Sequence, residues 1–234
     1  MTPSKLPALP LPVTDLVKAG AGAPQLLVTK AVRSQAGVIA GQAARARAQA
    51  NFDVEAYVDK LVSSQLRLVR AEGAGAGLAI TLAEMSSTVT GPGAVIATGT
   101  TLLADVSALA YLQIQLTMRI AAAYGHDLSD IDTRMREILS LHSLEMTVSK
   151  GGGGKAAAKG SQRVAQRLLE RYLRGPALAS LTSMFRFVGI KFSRAALVRG
   201  LPIINVPANA AVADVTTRRT AKKARDYYRD LPSY

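Results

Sequence analysis

Residues 91–118, "GPGAVIATGTTLLADVSALAYLQIQLTM", carry a single charge, Asp105, in an otherwise apolar and small-residue stretch. Elsewhere the apolar positions recur at helical spacing. Pro24 opens a pattern through Leu26, Leu27 and Ala31 that predicts a helix to about Ala50. Val54, Val58, Leu61, Val62, Leu66 and Val69 form an apolar stripe over 54–71, with Asn51 or Asp53 as its N-cap. "EGAGAG" at 72–77 leads into an apolar helix ending near Val89, and "TGPG" at 90–93 reads as a turn.

A long helix is predicted from Ala94 to Tyr124, stopped by Gly125, with Tyr124 and Asp127 as further capping residues. "SDID" at 129–132 opens a helix to about Ser149. Four consecutive glycines, 151–154, interrupt the periodicity, so 150–160 reads as a mobile Gly-rich loop. Helices over 161–174, 177–199 and 207–230 follow. No segment alternates with period two, and no repeat is visible. The fold class is therefore all-α: a compact bundle of seven to nine helices around a central Gly/Ala-rich apolar hairpin, 73–118.

Prolines at 3, 7, 10 and 12 break the N-terminus, so residues 1–23 are expected to run extended, without a secretory signal. Residues 24–230 then form a single helical domain. Hydrophobic residues make up 49% of the chain but aromatic ones only 5%, with no Trp. Such a core must be filled by aliphatic and small side chains on closely approaching helices.

Whether 85–118 spans a bilayer turns on its polar content. A span needs roughly 20 predominantly apolar residues. Met85–Ala104 is uncharged but contains "SSTVTGPG", and Val106–Met118 contains two Gln. Asp105 between them would cost about 3 kcal/mol at a bilayer centre. A buried helix within a bundle is the better reading, with partial insertion as its rival. The Gly pairs in "GAGAG" (73–77) and "GVIAG" (37–41) fit close helix crossing in either setting. Asp105 is a buried structural or functional acid and needs a partner, for which Arg119 and the hydroxyls of Thr98, Thr100 and Thr101 are the candidates.

Net charge is +13 and unevenly placed: +4 over 1–72, −4 over 73–133 and +13 over 134–234. Lys155, Lys159, Arg163, Arg167 and Arg171 recur every fourth residue and wind a positive stripe along one helix side. On the last helix Arg218, Lys222, Arg225 and Arg229 share a face that Arg219 and Lys223 broaden. These eleven cations are the expected binding surface for an anionic partner. The surface such charge suits is an anionic membrane or a membrane protein, with a bound lipid as a variant and nucleic acid as an alternative that lacks a reader motif.

Chemistry has less support. There is no Cys, which excludes disulfides and thiolate sites and fits a reducing cytosol. "KGGGGKAAAKGS" lacks the Gly-Lys-Ser/Thr order and the preceding strand of a phosphate loop. His126 and His142 are the two histidines. Glu145 follows His142 on one helical face and Glu137 precedes it, short of the two motif copies a di-metal bundle requires. No cofactor, metal or catalytic set is assigned. A lipid-active enzyme using buried Asp105 is the remaining enzymatic alternative.

The segments "GPGAVIATGTTLLADVSALAYLQIQLTMRIAAAYGHD" and "LPIINVPANAAVADVTTRRTAKKARDYY", with "LLAD" around Asp105 and "AAAYGHD" at 121–127, resemble the EcsC protein family over about residues 60–230. The late segment departs from the family's "PVVGA"-like run at Asn205 and Pro207. The resemblance implies a bacterial, membrane-linked helper protein, cytoplasmic and peripheral to the inner membrane. The family has no established chemistry, its name coming from an ABC exporter gene cluster, so no catalytic residue is carried over.

Overall fold

The structure, a computed structural model, describes residues 9–74, 92–143, 176–189 and 206–232. Every regular element among them is helical: α1 Val13–Ala19, a 3-10 turn Gly20–Gly22, α2 Ala23–Arg47, α3 Val54–Ala74, α4 Pro92–Ala123, α5 Ile131–Ser143, α6 Pro176–Phe187 and α7 Val206–Asp230. The all-α expectation holds there. The first arm of the apolar hairpin, the Gly-rich loop at 150–160 and the helix at 161–174 lie outside the described residues, and so does the total of helices.

Helix ends follow the local chemistry. Asp53 is the N-cap of α3, its Oδ1 accepting the backbone N–H groups of Glu55 and Ala56 at 2.9 and 3.1 Å. Asn51 instead takes a left-handed turn conformation, φ 68°. At the exit of α4, Gly125 has φ 92°; its N–H reaches Ala122 O and that of His126 reaches Ala121 O, the paired bonds of a Schellman ending. The start of α5 differs from the expected box at Ser129: Asp130 caps it by accepting the Thr133 N–H at 3.0 Å, while Ser129 hydrogen-bonds Asp127.

Two boundaries depart from expectation. Residues 13–19 are helical, not extended, because Pro12 stands at the N-cap, where its missing N–H costs nothing. Helix α6 stops at Phe187, short of 199, where Gly189 turns left-handed at φ 79°.

The long α4 is the axis of the core. It packs against α2, α3, α6 and α7. Leu103, Ala110, Ile114, Leu116, Met118, Ile120 and Ala121–Ala123 are buried among Leu27, Val28, Ile39, Val58, Met184, Ala224 and Tyr228. The polar residues that make 106–118 a poor bilayer span have protein neighbours instead. Gln65 Nε2 donates to Leu112 O, Gln113 Nε2 to Thr216 Oγ1 at 3.3 Å, and Thr117 Oγ1 to Gln113 O. No helix among the described residues is long and apolar enough to cross a membrane.

Candidate functional site

Asp105 lies half-buried on α4 between buried Leu103, Val106 and Ser107. Its Oδ2 is buried and has no hydrogen-bond partner among the described residues. Burial alone raises its pKa to about 6. Arg119 is not its partner: 14 positions along one continuous helix set the two about 21 Å apart. The side chains of Thr98, Thr100 and Thr101 lie outside the described residues.

Both histidines are structural in their contacts. His126 Nε2 lies 2.8 Å from the Tyr228 carbonyl, and His142 Nδ1 lies 2.8 Å from the Phe187 carbonyl. A carbonyl only accepts, so each of these nitrogens carries the proton. The His142 ring stacks on Phe187 at 4.1 Å, and burial holds its pKa down at about 4, with the charge of Lys223 lowering it further. No group of acids and histidines suited to a metal ion occurs among the described residues.

The predicted basic surface divides. Lys155, Lys159, Arg163, Arg167 and Arg171 lie outside the described residues. On α7, Arg218, Lys222, Arg225 and Arg229 are paired with carboxylates of the chain itself. Arg218 binds Asp214, which also holds Arg70 of α3 at 2.8 Å. Lys222 binds Asp226, Arg225 binds Asp59 and Glu55, and Arg229 binds Asp226 and Asp230. Arg219 is exposed, and Lys223 is half-buried near His142. The bridges from Arg70 and Arg225 tie α7 onto α3, so part of this face is used for folding and is less free for an external anion than the sequence suggests.

The ion pairs extend inward. Tyr124 donates its hydroxyl to Glu55 at 2.7 Å, and burial followed by that bond pushes its pKa up to about 12. Three residues beyond Arg225 on α7, Tyr228 donates to Glu137 at 3.1 Å, and Glu137 pairs with Arg134 at 2.6 Å with both side chains largely covered. The two tyrosine contacts join residues 69 and 91 positions apart, beyond the reach of pattern reasoning.

Sequence reasoning missed a second basic element. Helix α2 carries Lys30, Arg33, Arg45 and Arg47, all exposed, and no carboxylate in its 25 residues. None of the four forms an ion pair among the described residues. The signal was present in the sequence as an acid-free stretch from 23 to 47, overshadowed by the larger charge excess of the C-terminal hundred residues.

Comparison with known proteins adds one identification. The sequence model of the EcsC protein family matches residues 52–230, and the chain belongs to that family. No curated protein and no solved structure matches the chain.

Proposed function

From its place in the EcsC protein family, we propose that this chain is a peripheral interaction protein that docks on an anionic membrane surface or on a membrane-protein partner. The observation that carries this reading is the charge excess of +13, which internal pairing cannot remove because 29 basic residues face only 16 carboxylates. Several pairs that do form are exposed, as at Lys222 and Arg229, and such pairs contribute about 0–1 kcal/mol. They compete poorly with a dense anionic surface. Each basic residue near such a surface contributes about 1 kcal/mol, so a handful suffices to hold a folded domain there.

The low-charge helix α4 fits the same reading as the internal scaffold of the domain, bonded to α7 through Gln113 and to α3 through the Leu112 carbonyl. Flotation with vesicles of phosphatidylcholine alone, and of phosphatidylcholine with phosphatidylglycerol, tests the proposal. The protein should float with the anionic vesicles only and be stripped by high salt. Failure to float with either composition removes the membrane reading.

A further inference from the structure

Lys30, Arg33 and Arg45 of α2 sit on one face, with Arg47 about 100° from Lys30 beyond its edge, and that face has no ion-pair partner among the described residues. Counting 100° per residue from Lys30, Gly37, Gly41 and Ala44 fall within about 40° of it, with Arg33 and Arg45 about 60° to either side. The opposite face, with Val28, Val32, Ile39 and Ala43, is buried against the core. A Cβ built on Gly37 or Gly41 would meet nothing within 4 Å among the described residues. Beside the glycines, Val38 is 57% exposed, a large apolar side chain open to solvent. The result is a flat strip about 22 Å long from Lys30 to Arg45, smooth at its middle and positively charged at both ends.

We infer that this outward face of α2 is the surface that seats the protein on an anionic lipid headgroup layer. The inference rests on the membrane reading above but moves the contact away from α7. Charge complementarity selects the occupant. A second copy pairing through the glycine strip would bring like charges together, because no carboxylate on α2 is present to offset them. A headgroup layer supplies a continuous negative plane, and the long Lys and Arg stems can lie along it while Val38 enters the interface. The strip precedes residue 52, where the family match begins, so family membership does not bring it.

The test compares three forms of the full chain on phosphatidylcholine vesicles with and without phosphatidylglycerol. The first is wild type, and the second carries Lys30→Gln, Arg33→Gln, Arg45→Gln and Arg47→Gln together. The third carries Arg218→Gln, Arg219→Gln and Lys222→Gln. All the altered side chains are exposed, and circular dichroism confirms that each form is folded. At about fivefold per cation, the α2 variant should lose at least about a hundredfold in partition onto anionic vesicles. The α7 variant should keep its partition within about tenfold, since Arg218 and Lys222 are already paired. Val38→Asp should weaken binding on its own.

If the α2 variant binds as wild type does, the inference fails while the membrane reading stands. If wild type binds neither vesicle, both fail. If wild type sediments as a dimer that Val38→Asp disperses, with vesicle binding unchanged in every form, the strip is a contact between copies and the inference is overturned.

Discussion

The Nε2–H of His126 donates to the backbone carbonyl of Tyr228 across 2.8 Å, joining the exit of α4 to the last turns of α7. The two rings lie 5.2 Å apart, and the Tyr228 hydroxyl continues to Glu137 on α5. One residue near the C-terminus thus fastens three helices. Desolvation, followed by the nearby charge of Glu137, raises the Tyr228 pKa, keeping the phenol neutral and available as a donor.

Tyr228→Phe keeps the ring and removes that donor. Glu137 retains Arg134, so the loss should be about 1–2 kcal/mol in urea unfolding. Tyr228→Ala also leaves a cavity and should cost about 3–5 kcal/mol. Equal effects of the two substitutions would show that the hydroxyl, and not the ring, is what matters.

Asp105 should oppose stability at neutral pH. Its folded pKa, about 6, lies above the ordinary 3.8, so the unfolded chain releases its proton first as pH rises. The resulting penalty is absent at about pH 4 and fully present above about pH 6. Asp105→Asn should therefore raise the melting temperature at about pH 8 and leave it nearly unchanged at about pH 4. The same variant bears on a catalytic carboxylate: if Asn keeps any activity found in the protein, that role is untenable.

His142 works with the opposite sign. Its folded pKa, about 4, lies below the ordinary 6.5, so the unfolded chain takes up a proton first as pH falls. Stability contributed by the neutral ring is full above about 6.5 and is lost down to about 4. His142→Phe keeps an aromatic ring against Phe187 but loses the bond to its carbonyl. It should be less stable at neutral pH by about 1 kcal/mol or more, with a flatter stability profile between those limits. An unchanged slope in pH-dependent unfolding would contradict the buried neutral ring.

The ion pairs of α7 should rank by what they join. Arg225 reaches Asp59 and Glu55 on α3, and its side chain is only 27% exposed. Arg225→Gln should cost about 1–2 kcal/mol. Lys222→Gln breaks an exposed pair one turn apart and should cost no more than about 0.5 kcal/mol. Urea titrations of the two variants decide the order.

Local chemistry was legible in the sequence and long-range chemistry was not. Gly125 stops α4 and Asp53 caps α3 because both act through bonds to near neighbours in the chain. The stripe of basic residues on α7 was equally visible, but its largest partners were not. Asp59 lies 166 positions from Arg225, and only the packing of α3 on α7 brings them together. The pairing of Asp105 with Arg119 failed on geometry that the sequence did contain, since an uninterrupted helix fixes their separation. The helix at 13–19 was hidden by counting prolines without their positions: Pro12 is at the boundary, where proline is tolerated.

The open glycines of α2 also make the protein easy to instrument. The chain has no cysteine, and a Cβ at Gly37 or Gly41 meets no neighbour within 4 Å among the described residues. A thiol introduced there by Gly37→Cys would be unique, reachable by reagents and remote from the core. It could carry a polarity-sensitive dye whose emission reports whether this strip of helix is wet or covered.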